Sequence, residues 1–205
     1  MTGDSRPRLV LATANPAKLT ELRRILEAGH VDVSLASLGE FPGAPDVAET
    51  GATFAENALL KAHAIAGFTG LAAIADDSGL CADALNGMPG VLSARWSGRH
   101  GDDAANLRLL LAQLSDLPDE RRGAHFTCAA ALALPGGREH VTEGVMRGSL
   151  AREPRGQNGF GYDPIFVAEG GRCTNGELDS DAKDKISHRG KALRAMAPVI
   201  AALLG

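Results

Sequence analysis

Three cysteines in 205 residues, widely spaced and odd in number, are too few for a disulfide framework, and none forms a Cys-x-x-Cys pair. That excludes a stapled scaffold and a thiolate zinc site of the usual spacing, and it fits a reducing cytoplasm. Cys81 and Cys128 sit in apolar strand patterns and read as small packed hydrophobes rather than nucleophiles. No apolar run approaches the roughly 20 residues of a membrane span. The polar stretch from Met1 to Arg8 has no signal-peptide core behind it. A cytoplasmic protein with no membrane partner is expected. An excess of basic charge is also missing: a net charge of −4 gives no general attraction to a polyanionic backbone. The expected partner is therefore a nucleotide and not a nucleic acid. Repeats, linkers and a glycine-rich Walker loop are absent too, so residues 1–205 read as one domain with a single catalytic unit.

Arg8 to Ala12 is strand-like, and Leu19, Leu22, Ile25 and Leu26 recur at helical spacing between Ala17 and Leu26. A weak strand at Val31 to Leu35 precedes a Gly/Pro-rich loop at Gly39 to Pro45. Thr53, with Glu56 three residues on, has the capping-box pattern and opens a helix from about Phe54 to Ala66. Leu71 to Ala75 reads as a buried strand ending at Asp76 and Asp77. A turn at Ser78-Gly79 and a strand from Leu80 to Leu85 would then place the aspartates at a bend. Asp102 to Leu114 predicts an amphipathic helix. Ala124 to Leu134 and Glu139 to Met146, joined by Pro135-Gly136-Gly137, predict a hairpin. His188 to Leu204 predicts a terminal helix in which Pro198 marks a local kink. The fold class expected is α/β, or mixed α+β: a central twisted mixed sheet flanked by helices, in two lobes around a substrate cleft.

Aspartates are depleted in strands and costly to bury unpaired, so Asp76 and Asp77 need a cation, a hydrogen-bond network or water. Hard oxygen ligands of this kind suit Mg²⁺, although Asp and Ser also make solvated turns. Thr13-Ala14-Asn15-Pro16-Ala17-Lys18 joins the first strand to the first helix. It reads either as a phosphate-binding turn, with donors from Thr13, Asn15 and Lys18, or as an ordinary capped turn. Asn57 and Lys61 share a helix face, and Glu49 lies in the loop before it. The segment Gly159-Phe160-Gly161-Tyr162-Asp163-Pro164 could hold a flat base by stacking on Phe160, with Asp163 accepting a ring N–H, or could be an aromatic core turn. Lys183, Ser187, His188 and Arg189 form a cationic cluster that would welcome a 6-oxo group on a purine and oppose a 6-amino group.

Taken together, Thr13 to Lys18, Glu49-Thr50-Gly51, Phe54 to Lys61, Ala75 to Leu80, Ser93 to Gly98, Gly159 to Phe166 and Ile186 to Gly190 resemble the inosine triphosphate pyrophosphatase family, in order along nearly the whole chain. The resemblance implies a Mg²⁺-dependent homodimer that converts non-standard purine triphosphates (dITP, ITP, XTP) to monophosphate and pyrophosphate, keeping deaminated bases out of DNA and RNA. It implies that Thr13 to Lys18 form the phosphate turn, with Asp77 as acid/base and metal ligand and Glu49 sharing the metal. Lys61 would lie near the triphosphate, Ser78 against the substrate, and Phe160 to Asp163, Lys183, His188 and Arg189 around the base. Close relatives often carry two acidic residues before Thr-Gly, where this chain has Ala48 and Glu49, so metal ligation falls to Glu49.

Physics alone does not separate Asp76 from Asp77; it says only that neighbours in an extended chain face opposite ways. The other readings are a Maf-type pyrophosphatase acting on different modified bases and a nucleotide sensor that binds without hydrolysis.

Overall fold

The computed structural model describes residues 5–13 and 15–204. Its strands are β1 (Arg8–Leu11), β2 (Ser34–Ser37), β3 (Ala72–Ala82), β4 (Gly123–Ala133), β5 (Glu139–Leu150) and β6 (Phe166–Ala168). Its helices are α1 (Pro16–Ala28), α2 (Phe54–Thr69), α3 (Asp103–Gln113), α4 (Ser180–Ile186) and α5 (His188–Leu204). The six-stranded sheet has the order β2-β1-β3-β4-β5-β6. β1 runs parallel to both β2 and β3, and β5 runs antiparallel to β6, so the sheet is mixed as expected.

Local chemistry accounts for the helix ends. Asn15 caps α1 with Pro16 at its first position, where the missing N–H costs nothing. Thr53 and Glu56 form the anticipated capping box of α2, and Gly70 closes that helix in the left-handed conformation. Asp102 caps α3, and Pro198 lies inside α5 without ending it. The hairpin turn is closed by the Leu134 N–H donating to the Arg138 carbonyl at 2.9 Å.

Two boundaries differ from the sequence expectation in ways that matter. β3 continues from Ala72 to Ala82 with no turn at Ser78-Gly79, so the aspartates lie within a strand and not at a bend. Ser-Gly is a turn signal, but pairing in a sheet overrides it. The Leu80 N–H also gains the Ser93 hydroxyl at 2.9 Å. β2 falls at 34–37 instead of 31–35 because its parallel register sets Arg8 opposite Ser34, leaving Val31 and Val33 as buried residues ahead of the strand.

The described residues divide into two compact units: one from residues up to Asp77, Cys128–Gly144 and from Arg189, the other from Ser78–Thr127 and Val145–His188. The first has a core on each side of its strands. Leu9, Leu11, Ile74, Cys128, Ala130 and Leu132 pack with α1 and α5, while Val10, Ala73, Ala75, Ala129, Ala131 and Ala133 pack with α2. The α2 side is built largely of alanine, and small side chains let a helix backbone approach the sheet closely. The second unit has one core, in which Leu107, Leu110 and Leu114 of α3 meet Leu80, Phe126, Met146, Tyr162 and Phe166.

Arg122 ties that second unit together. Its buried guanidinium donates to the carbonyls of Leu114 at 2.6 Å, Leu150 at 2.8 Å and Ala151 at 3.0 Å. Removing it leaves three acceptors without their donor, and buried unsatisfied groups cost about 1–3 kcal/mol each. Arg122→Ala is therefore expected to lower stability by roughly 3 kcal/mol in urea titrations. A loss under about 1 kcal/mol would show that water replaces the guanidinium freely.

Candidate active site

Strand geometry divides the two aspartates. Ala72 and Ile74 face α1 and α5, Ala73 and Ala75 face α2, and the alternation carries Asp76 to the first side and Asp77 to the second. Asp76, buried at 7% exposure, accepts from Lys18 Nζ of α1 at 2.7 Å and lies 3.2 Å from Nε of Arg189 of α5. Arg189 is also paired with Glu21. Asp77 accepts from Lys61 Nζ and from Asn57 Nδ2, each at 3.1 Å and both from α2. Lys61 donates in addition to Glu49 at 2.9 Å. Asn57 is fully buried, and its Oδ1 accepts the Gly51 N–H at 2.8 Å, which fixes the loop that carries Glu49.

Two carboxylates and one ammonium leave the Asp77 cluster with a net negative charge. Burial pushes the Asp77 carboxyl above its ordinary value; Lys61 offsets part of this, while Glu49 adds repulsion. Burial works against the charge on Lys61, but Asp77 and Glu49 outweigh it and hold the ammonium above its ordinary pKa. A carboxylate raised in this way is the better proton acceptor. On the opposite face burial alone lowers Arg189, to about 10, so it remains a cation at neutral pH. Burial, followed by Asp76, keeps the Cys128 thiol protonated, and burial raises Cys81 as well, so neither behaves as a nucleophile.

The Thr13 to Lys18 turn is capped locally. Thr13 Oγ1 accepts the Asn15 N–H at 3.2 Å, and Asn15 Oδ1 accepts the Ala17 N–H at 2.9 Å, with Pro16 in the first turn. Ala14 lies outside the described residues. Lys18 is turned to Asp76.

The second unit holds a cavity that encloses about 550 Å³ with its mouth included; Ser78, Phe160, Gly161, Tyr162, Asp163, Lys183 and His188 are among its lining residues. Tyr162 belongs to the core and donates its hydroxyl to the Ser93 carbonyl at 2.9 Å, so this ring is a wall. Phe160 is the opposite case, 76% exposed, with Lys183 Nζ 5.2 Å from its ring centroid. His188 stacks on Phe126 at 4.9 Å and 11°. Asp163, expected to accept a ring N–H, is buried and engaged by Lys183, by the Phe160 N–H and by Asn175 Nδ2. It organises the loop. Arg189, expected beside His188 at the base, belongs instead to the first unit with Asp76 and Glu21.

The Ham1 family profile matches residues 9–199. The chain belongs to the Ham1 family. A dITP/XTP pyrophosphatase of Streptomyces coelicolor is 61% identical over 198 residues, 97% of this chain and 99% of its own. A dITP/XTP pyrophosphatase of Mycobacteroides abscessus is 60% identical over 194 residues, 94% of each chain. Among solved structures, the nucleoside-triphosphatase / dITP/XTP pyrophosphatase from Mycobacterium abscessus superposes with a TM-score of 0.81 at 60% identity, covering 94% of this chain and 99% of its own. A HAM1 protein from Coxiella burnetii gives 0.88 at 42% identity, covering 96% and 99%. The expected inosine triphosphate pyrophosphatase membership and the mixed α/β architecture are borne out.

Sequence reading of this Ham1 chain named Asn57 only as a neighbour of Lys61 and missed Glu21 and Asp103. Glu21 follows Lys18 by three residues on α1, a spacing that shares a helix face; Asp103 left no comparable signal.

The raised pKa of Asp77 has a sign that can be measured. Its stabilising contribution is complete below the unfolded-state pKa and is lost as pH rises through the higher folded-state value. Asp77→Asn lacks that dependence. In thermal melts from about pH 4 to about pH 8 the variant should gain on the wild type as pH rises and end at least as stable. A wild type that gains on the variant with rising pH would mean that the carboxyl is lowered instead.

Proposed function

We propose that this Ham1 chain is one catalytic domain, a nucleoside-triphosphate pyrophosphohydrolase that converts dITP, ITP and XTP to monophosphate and pyrophosphate, acting in the cytoplasm as a Mg²⁺-dependent homodimer. Among the described residues no helix is long and apolar enough to cross a membrane. The observation that carries the reading is Asp77: a carboxylate of raised pKa, held by Lys61 and Asn57, on the strand whose next residue, Ser78, lines the cavity of the second unit. Relatives named dITP/XTP pyrophosphatase support it along almost the entire chain.

The purine occupies that cavity. Lys183 and His188 offer donors to a 6-oxo group, whereas a 6-amino group would set donor against donor and leave a buried polar group unpaired. Phe160 supplies a face for stacking and Ser78 a hydroxyl for contact with the substrate. The triphosphate is neutralised by Lys61 and by Lys18, which exchanges Asp76 for a phosphate oxygen, with Thr13 and Asn15 at the N-terminus of α1 as neutral donors. Asp77 takes the proton of a water as its oxygen bonds to the α-phosphorus, and the bond from that phosphorus to the β-bridging oxygen breaks, releasing pyrophosphate. Asp76, on the other face of β3 and still held by Arg189 when Lys18 turns to the phosphate, orients and does not take the proton.

The donor set fits Mg²⁺. Asp77 and Glu49 offer only hard oxygens, already drawn to one shared cation in Lys61, and Mg²⁺ is usually held by one or two carboxylates and its waters. Bound there, the ion would supply charge neutralisation at the phosphate oxygens. Hydrolysis of dITP and XTP would keep deaminated purines out of DNA and RNA.

Incubation with Mg²⁺ and dITP, XTP, dATP or dGTP in ¹⁸O-labelled water checks the reading. Pyrophosphate should form from the first two with kcat/KM roughly a hundredfold or more above the others, and the label should appear in the monophosphate. Orthophosphate, label in pyrophosphate, or equal turnover of all four would overturn it, and tight binding without release would make the protein a sensor.

A further inference from the structure

Phe160 carries an aromatic ring that is 76% exposed, and the backbone on either side of it is intrinsically loose. Gly159 and Gly161 flank it at φ +76° and +59°, in the left-handed region where glycine is permissive and has the most conformational freedom to lose. Something beyond the conformational preference of these glycines must therefore set where the ring points. Two carboxylates do so by holding successive amides. Asp163 accepts the Phe160 N–H at 2.9 Å, a local bond across three residues. Asp103 Oδ2 accepts the Gly161 N–H at 3.0 Å from 58 residues away in sequence. Asp163 packs so closely that a Cβ on Gly159 would come within 2.2 Å of its Oδ2, whereas a Cβ on Gly161 would meet nothing within 4 Å. Packing thus restrains one side of Phe160, and the Asp103 hydrogen bond restrains the other.

Asp103 is well placed to serve as an anchor. It opens α3, a helix fixed by the Asp102 cap, whose Oδ1 accepts the Ala105 N–H at 3.0 Å, and by Leu107 and Leu110 in the core. It also lines the same cavity as Phe160 and Lys183. An acidic residue in a first helical turn has an ordinary use, its attraction to the helix dipole. That use does not require its oxygen to meet a distant amide, and charge-assisted bonds to backbone N–H groups are among the stronger ones.

We propose that Asp103 is a positioning residue for substrate binding: by holding the Gly161 amide it presents the Phe160 ring, as one lip of the cavity, in the attitude that stacks on the purine. This rests on the assignment of the purine to that cavity. The bond requires an acceptor oxygen but no negative charge, so Asn serves at this position and Ala does not.

Two readouts test it. Amide hydrogen exchange of the peptide spanning residues 157–165, measured without substrate, should be faster in Asp103→Ala and near wild type in Asp103→Asn. Steady-state kinetics with dITP should show KM raised about tenfold in Asp103→Ala with kcat changed far less, and recovered in Asp103→Asn. Loss of a dipole partner alone would instead affect Asn and Ala alike and leave the loop's exchange unchanged, which overturns the proposal. Faster exchange with an unaltered KM, while Phe160→Ala still raises KM, overturns the claim that the anchor serves binding. An unaltered KM in both Asp103→Ala and Phe160→Ala places the failure in the assignment of the purine to this cavity.

Discussion

Successive side chains of an extended strand point to opposite faces, and on β3 that constraint governs the chemistry of the first unit. Two adjacent aspartates on a strand covered by helices on both sides would be prohibitive to bury unless each met its own positive partner. Asp76 meets Lys18 and Arg189 from α1 and α5; Asp77 meets Lys61 and Asn57 from α2. Identical residues thus acquire different work. One is locked by two cations. The other shares a single cation with Glu49, so burial wins and its proton affinity rises. The alanine-rich contact between α2 and the sheet allows Lys61 and Asn57 to reach Asp77. The same packing that closes the core therefore also sets the geometry of the Asp77 carboxylate.

Chemistry in the second unit is arranged differently. Two of its carboxylates act on a loop instead of across a strand: Asp163 and Asp103 restrain the turn that exposes Phe160, while Tyr162 is consumed by the core through its ring and by Ser93 through its hydroxyl. What this leaves for a ligand is a cavity with an apolar floor, an exposed aromatic edge whose backbone is held by hydrogen bonds, and donors from Lys183 and His188. Such an arrangement selects by what it cannot pair with as much as by what it can.

Much of this was legible in the sequence where the cause is local. The capping box at Thr53 and Glu56 and the hairpin around Pro135-Gly136-Gly137 follow from short-range hydrogen bonding and turn chemistry, and each is where it was expected, while the turn before α1 takes the capped form that was one of its two readings. Alternation along the strand also foretold that Asp76 and Asp77 would part, but not which partners each would find. Less was legible where tertiary contacts decide. The Ser78-Gly79 turn signal lost to sheet pairing. His188 and Arg189 look like one cluster as neighbours in sequence, yet consecutive residues on a helix point about 100° apart, and α5 delivers them to different units. α4 was not anticipated because a helix of seven residues, held by its Asp179 cap, is too short to show a hydrophobic period. The contact of Asp103 with Gly161 joins segments that share no pattern at all.

The division of labour between the two aspartates is tested most directly by measuring single-turnover pyrophosphate release from dITP and urea stability side by side in Asp76→Asn and Asp77→Asn. Asp77→Asn should lose roughly a hundredfold or more in rate while remaining as stable as the wild type at neutral pH. Asp76→Asn, which leaves Lys18 and Arg189 without their shared carboxylate, should be less stable by about 3 kcal/mol. A stable Asp76→Asn protein with no chemistry, beside an Asp77→Asn protein that turns over normally, would reverse the assignment.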